Sequence, residues 1–366
     1  VAQIESVTDP TKGTDGKTTT TATVKGLKMG ATVIVATDKM TGKSISARVI
    51  VSDGFTNPKV LVGNEFEIAL KSDGTIWGWG KNNYGQTGLG TGMPNIASPT
   101  QITTYMLSPT GDVFEFDETR FSDISVGGDH VFAIDEDGQI YGWGLNNYGQ
   151  LGISNATGWV IRPLLISSLS DKEIVSIAAG ADHTMALTAL GQVYGFGKND
   201  RGQLGQSASA VNNNPHPTPT LMTGVGGNGT LSGVIEIAVG AQHTMLLLGN
   251  GSVWTVGDNQ KYQLGVQETD NKQSYAYNIH QVNTGLGEGE TVSSIVAGPY
   301  NSGFITNNGD AYVWGSNAQN GLLDATIPQT GGYYEPIKYS AFRDAGGQPA
   351  KIKDIDFGGV RSAEIM

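Results

Sequence analysis

The chain has 366 residues, 34 of them acidic and 22 basic, so its formal net charge is −12, and glycine alone supplies 53 positions. The hydrophobic share of 38% is spread along the chain, which allows a core and argues against global disorder. No run approaches 18 apolar residues, so no helical membrane span is expected. An acidic chain without a basic block is also poorly suited to phosphate backbones, so nucleic acid is not the expected partner. Cysteine is absent, which excludes disulfides, thiolate zinc sites and a cysteine nucleophile.

Residues 1–54 differ from the rest, with 7 basic against 5 acidic residues. The run TTTTATV from Thr18 leads into two alternating strands around a Lys-Met-Thr-Gly turn, within LKMGATVIVATDKMTGKSISARVIVSDG. This segment resembles the C-terminal half of a bacterial immunoglobulin-like domain, which implies a small β-sandwich-like unit. The alternative is that the hairpin Ala31–Val51 closes the ring of sheets formed by the remainder. The chain opens at Val1 without a signal peptide, so an export signal is expected to have been removed or to lie upstream.

From residue 55 onward the chain repeats. GNEFEIALKSDGTIWGWG from Gly63, GGDHVFAIDEDGQIYGWG from Gly127, GADHTMALTALGQVYGFG from Gly180, GAQHTMLLLGNGSVWTVG from Gly240 and GPYNSGFITNNGDAYVWG from Gly298 align without gaps. Their closing glycines, Gly80, Gly144, Gly197, Gly257 and Gly315, are 64, 53, 60 and 58 residues apart, about one propeller blade per unit. A sixth copy begins at Gly358, and the sequence stops inside it. In each unit an apolar strand ends at Gly, and a Gly-containing tight turn joins a second strand to a third. A polar turn follows, such as KNNYGQTG from Lys81, LNNYGQLG from Leu145 and KNDRGQLG from Lys198. A single four-stranded blade cannot bury both its faces, so blades must stack around an axis. The expected fold is all-β, a propeller of about six to seven four-stranded blades over 55–366.

The pattern G-x-x-H, then D-G-x-[IV]-[YW]-x-W-G-x-N-x-x-G-Q-L-G, resembles the regulator of chromosome condensation repeat. The family includes a nucleotide-exchange factor for a small GTPase, β-lactamase inhibitor protein II and bacterial surface proteins, so the resemblance implies the fold more firmly than a function. In the inhibitor, loops on one face grip the target enzyme, which implies a protein ligand here.

His130, His183 and His243 share one offset in the repeat, where Phe66, Asn301 and Arg361 stand in other units. A residue replaceable by Phe is expected to pack and hydrogen-bond at a blade corner, not to hold metal; no metal site or cofactor is expected. Trp77, Trp79, Trp143, Trp254 and Trp314 repeat in the third strand and are expected in the core between blades. Trp159 is unrepeated and sits in the insertion NATGWVIRP, which makes it a contact candidate. Asp73 and Asp137 belong to turns, and no nucleophile elbow, phosphate loop or calcium loop is present, so an enzyme is not expected.

Four residues after each closing Gly the turn holds Tyr84, Tyr148, Arg201, Lys261 and Gln319, a variable ring on an otherwise constant scaffold. Tyr and Arg commonly anchor protein interfaces; the competing reading is that the tyrosines merely cover the turn. Insertions at 89–120, 206–233, 266–291 and 324–350 add Tyr275, Tyr277, Tyr333 and Tyr334 as expected loop contacts. These residues define the expected partner-binding set of an exported bacterial surface protein. A structural spacer in a surface array, or an inhibitor of a secreted enzyme, are the alternative functions.

Overall fold

The computed structural model describes residues 56–108, 111–116, 119–154, 158–266, 275–317, 332–339 and 351–358, together with short strands within 2–51 and 361–365. It is built of β-strands, with three 3-10 turns. Four sheets contain four strands and one contains six, each core of four running as an antiparallel meander.

Blade 1 comprises Lys59–Val62, Phe66–Leu70, Ile76–Lys81 and Asn95–Gln101. Blade 2 comprises Phe121–Val126, His130–Asp135, Ile140–Leu145 and Trp159–Leu165. Blade 3 uses Ile174–Ala179, His183–Thr188, Val193–Gly197 and His216–Leu221. Blade 4 uses Val234–Val239, His243–Leu248, Val253–Asp258 and Tyr275–Gln281. Blade 5 uses Val292–Ala297, Asn301–Thr306, Ala311–Ser316 and Gly332–Lys338. Asp354–Gly358 and Arg361–Ile365 then pair as a two-stranded sheet at the start of the sixth unit.

The first strand of each unit is innermost. These strands and the turns that end them surround a central cavity of about 640 Å³, reached by Val60, Val126, Ala179, Val239, Ala297 and Phe357. Backbone bonds link successive turns around it: Asn64 N to Gly128 O, Gly128 N to Gly180 O, and Ala181 N to Ala241 O. Between blades the core is apolar. Phe66 and Ile68 of blade 1 belong to one buried cluster with Phe121, Ile124 and Trp143 of blade 2. The second strands of blades 2 and 3 are buried along their whole length, whereas that of blade 1 alternates buried and half-buried. A strand buried on both faces has a sheet on each side; among the described residues blade 1 is covered on the blade 2 side only.

This asymmetry corrects the expectation that all five repeated tryptophans lie in the core. Trp143 and Trp314 are fully buried, and their indole N–H groups donate to Gln86 O and Gln263 O of the preceding blade, each at 3.0 Å. Trp79 holds the same register in blade 1 and is only half-buried, since no comparable turn covers it among the described residues. Trp77 and Trp254 occupy the register two residues earlier, are also half-buried, and bond to Thr75 and Ser252 of their own strand ends.

The long connections, expected to be loops, contain the outer strands of blades 1, 3, 4 and 5. Segment 89–120 also forms the hairpin Thr104–Met106 and Val113–Glu115, which widens blade 2 to six strands through a parallel pairing of Met106 with Leu164. Tyr105 fastens the hairpin, stacking on Phe116 at 4.8 Å and meeting Tyr141 edge-on at 5.5 Å. In the N-terminal segment, Gly30–Thr37 pairs with Ser44–Val51, and Ala2–Val7 with Ala22–Gly26. Both are two-stranded sheets that pair with no blade among the described residues.

Candidate interaction face

In the first four units the polar turn after the third strand is braced by two buried side chains. Asn82, Asn146, Asn199 and Asn259 accept through Oδ1 from the backbone N–H of Thr87, Leu151, Leu204 and Leu264 at 2.9–3.1 Å. Gln86, Gln150, Gln203 and Gln263 accept through Oε1 from the N–H of Tyr84, Tyr148, Arg201 and Lys261 at 2.8–2.9 Å. The variable residue is thus fixed by its backbone while its side chain is free to change. These turns share a face with the turns between the first and second strands. The N–H groups of Lys81, Leu145, Lys198, Asp258 and Ser316 donate to the carbonyls of Glu65, Asp129, Asp182, Gln242 and Tyr300 at 2.8–2.9 Å.

The variable side chains reach forward to the next blade. The ring of Tyr84 lies 6.2 Å from that of Trp159. Lys198 Nζ stands 5.1 Å from the Tyr148 ring centroid, and Arg201 Nε is 3.9 Å from Asp258 Oδ1. Burial raises the Asp258 carboxyl above its usual range, opposed by the Arg201 charge and the hydrogen bond from Gln263. Lys261 is exposed, and Gln319 lies outside the described residues. The tyrosines therefore do more than cover their own turn: Tyr84 and Tyr148 bridge blades.

Trp159 is 54% exposed and begins the outer strand of blade 2, adjacent to Tyr84. Tyr275, Tyr277, Tyr333 and Tyr334 stand on outer strands, not on loop tips. Tyr333 packs against two buried clusters and so supports the blade, while its neighbour Tyr334 is 38% exposed. Tyr275 and Tyr277 are half-buried.

Two exposed aromatics on this face, Tyr262 and Tyr300, are absent from the expected set. Both are departures from the repeat. Tyr262 occupies the position of Gly85, Gly149 and Gly202, all at φ between +72° and +77°, and itself adopts φ +65°. At the three glycines a Cβ would run into Ile161, Pro217 or Tyr277 of the next blade's outer strand. Beside Tyr262 that strand begins with Gly332, whose missing Cβ leaves room for the Tyr262 ring. Tyr300 replaces the Glu65, Asp129, Asp182 and Gln242 of the other units.

The histidines are buried and form an inter-blade relay. His130 Nε2 lies 2.9 Å from Thr184 Oγ1, His183 Nε2 3.3 Å from Thr244 Oγ1, and His243 Nε2 2.9 Å from Ser302 Oγ. Each hydroxyl gives its hydrogen to a turn carbonyl, of Gln150, Gln203 or Gln263, at 2.7–2.8 Å. The histidine must therefore donate from Nε2, leaving Nδ1 unprotonated. Nδ1 faces the glycine three residues earlier, and a Cβ on Gly127, Gly180 or Gly240 would overlap the ring. Burial drives all three pKa values down to about 3, with the neighbouring histidines adding to the effect at His183. Neutral, hydrogen-bonded and enclosed, these side chains hold blades together.

Repeated four-stranded sheets around a central cavity, with constant braces and variable turn residues, define a β-propeller built from sequence repeats. Its outer strands vary while the second and third strands keep the motif. The chain belongs to the regulator of chromosome condensation (RCC1) repeat family: the family profile matches residues 73–134, 137–187 and 191–247, and a second profile of the same repeat matches 121–150, 174–203 and 234–263. It is 34% identical to the human probable E3 ubiquitin-protein ligase HERC4 over 217 residues, which is 59% of this chain and 19% of that protein. It is 25% identical to the ultraviolet-B receptor UVR8 of Arabidopsis thaliana over 308 residues, 83% of this chain and 62% of the receptor. The chain thus spans about a fifth of the ligase and under two thirds of the receptor. Among solved structures, human WBSCR16 superposes with a TM-score of 0.63 at 21% identity, covering 82% of this chain and 70% of that one. Prp20p of Saccharomyces cerevisiae gives 0.62 at 20% identity, covering 82% and 66%. These likenesses establish the fold.

Proposed function

We propose that the chain is a non-enzymatic protein-interaction propeller that binds a protein ligand through the face bearing Tyr84, Tyr148, Arg201, Lys261, Trp159 and Tyr334. The observation that carries this reading is the braced turn, which holds a variable side chain on an invariant hydrogen-bonded frame. Trp159 and Tyr84 form its clearest contact point, since an exposed Trp beside a Tyr supplies a large, rigid apolar area. Relatives support a binding role by analogy: Prp20p is studied for its binding to Gsp1p and histones, and it has been solved in complex with Kap60.

We place the protein at the bacterial cell surface, as part of a larger exported chain. The support is a cysteine-free composition and the resemblance of residues 1–54 to a bacterial immunoglobulin-like module. The spacer reading draws on Tyr148 and Arg201, whose side chains reach across to the neighbouring blade.

The test is capture of secreted and cell-envelope proteins on the immobilised chain, run beside a Tyr84→Ala/Trp159→Ala variant of unchanged thermal midpoint. A protein retained by the parent and lost by the variant is expected. Identical sets on both, or nothing retained, would favour the spacer.

A further inference from the structure

Five large aromatics are more than about a third exposed among the described residues: Phe114, Trp159, Tyr262, Tyr300 and Tyr334. Three of these lie on one face of blade 5. Gln263 O accepts from both Ser302 Oγ (2.7 Å) and Trp314 Nε1 (3.0 Å), which pins the preceding residue, Tyr262, over blade 5. Tyr300 precedes Ser302 by two residues on the inner turn, and Tyr334 lies on the outer strand 6.3 Å from Tyr262 at an interplanar angle of 60°. Tyr300 lines the cavity, while Tyr262 and Tyr334 meet over the outer strand of the same blade.

The strip exists because Tyr262 tolerates a backbone conformation that the other turns give to glycine. A bulky residue at φ +65° costs on the order of 1 kcal/mol or more, and such an outlier in an exposed position points to a function for the side chain. The same face is acidic around the mouth. Glu65, Asp129 and Asp182 occupy the positions equivalent to Tyr300; Glu65 and Asp182 lie 3.4 and 3.8 Å from Lys81 and Lys198, which leaves Asp129 as the carboxylate most available to an incoming cation. Asp129 is held by the amides of Asn64 and Gln86, each at 3.0 Å, with no cation within ion-pair distance among the described residues. Glu335, next to Tyr334, is exposed, and the chain as a whole carries −12.

Deepening the protein-binding reading, on which it rests, we infer that the Tyr262–Tyr300–Tyr334 strip docks an arginine-bearing extended segment of a protein partner. Guanidinium planes stack on the tyrosine rings while the carboxylates at the cavity mouth supply charge complementarity. Lys261, exposed beside Tyr262, opposes such a segment and limits its affinity.

Fluorescence anisotropy of the full chain with labelled Arg-Ser, Lys-Ser and Glu-Ser repeat peptides of equal length tests the assignment. The Arg peptide is expected to bind most tightly and the Glu peptide not at all. Tyr262→Gly restores the repeat's own residue, so its thermal midpoint should hold or rise while Arg-peptide affinity falls at least fivefold. Lys261→Ala should tighten binding about twofold to fivefold. Equal affinity for Arg and Glu peptides, no binding of the Arg peptide, or an unchanged affinity in Tyr262→Gly would overturn the strip. Loss of captured protein in Tyr84→Ala/Trp159→Ala alongside an unaffected Tyr262→Gly would leave the binding face standing and remove only this assignment.

Discussion

His183 of blade 3 and Thr244 of blade 4 are joined across the blade boundary by a donor at Nε2 and an acceptor at Oγ1, 3.3 Å apart. The pair occurs in matched form around the ring: His130 with Thr184, and His243 with Ser302. Where the first unit carries Phe66 in place of histidine, the second carries Val131 in place of the hydroxyl, and both are fully buried. The two positions therefore change together, polar with polar and apolar with apolar. His183→Phe alone should remain folded and lose about 1 kcal/mol, the worth of one hydrogen bond, because Thr244 keeps its bond to Gln203 O. Urea denaturation of the variant measures this. A loss above about 4 kcal/mol would show that the ring does more than donate one bond.

The acceptor of each relay is a turn carbonyl, and its caps differ from blade to blade. Gln263 O receives both Ser302 and Trp314, whereas Gln150 O receives Thr184 and faces Phe196 in the tryptophan register. Gln86 O, opposite Val131, receives Trp143. A buried carbonyl left without a donor costs about 1–3 kcal/mol, more than a bond exchanged for another. Thr184→Val and Ser302→Ala each also remove the acceptor of a buried histidine Nε2–H, that of His130 or of His243. Thr184→Val orphans the Gln150 carbonyl as well, so it should cost about 1–3 kcal/mol more than Ser302→Ala. Equal losses in paired denaturation curves would contradict the shared-cap account.

The second and third strands were readable from sequence because they carry the relay, the turn glycine and the buried tryptophan register, all of which recur at fixed offsets. The fourth strands were not, because they lie at the outer rim, in blades 1, 3, 4 and 5 with a strand partner on one side only among the described residues, and little about their side chains is dictated. Tyr275, Tyr277, Tyr333 and Tyr334 thus read as loop residues and prove to be strand residues. The tryptophan pattern marked strand register without marking which blade lacks a neighbour, so Trp79 looked equivalent to Trp143. Tyr262 and Tyr300 stand outside the variable column of the repeat, at breaks in its constant columns, and so do not belong to the expected set. At Tyr262 the sign is the loss of a glycine, and at Tyr300 the loss of a polar residue from the inner turn.

Acid should loosen the ring through the histidines. Their folded pKa values lie near 3, below the ordinary 6.5, so between these limits the unfolded chain binds more protons than the folded one. Their contribution is fully present above pH 6.5 and is lost as pH falls toward 3, by up to about 1.4 kcal/mol per pH unit for each histidine. Asp73, lowered to about 2 chiefly by its bonds from Thr75, acts in the lower window between about 4 and 2. Urea midpoints should fall between pH 7 and pH 5, and His183→Phe should shrink the drop by about a third. An unchanged drop in that variant would assign the acid sensitivity elsewhere.

Arg201 offers a separate handle on the face, because it is both a variable turn residue and the cation nearest the buried Asp258. Removing it leaves a carboxylate that burial already disfavours, with Gln263 Nε2 as its remaining side-chain donor at 2.7 Å. Arg201→Met should cost about 1–3 kcal/mol at neutral pH. The sign of its pH dependence is opposite to that of the histidines: a carboxyl with a raised folded pKa destabilises the fold once ionised, so the deficit should shrink as the solution is acidified and Asp258 takes up a proton. Arg201→Met/Asp258→Asn should recover most of the loss at pH 7, since Asn keeps an acceptor for Gln263 without the charge. If the double variant is no more stable than Arg201→Met, the arginine stabilises through its packing across the boundary between blades 3 and 4. A side chain that only served a partner would show no loss in either variant.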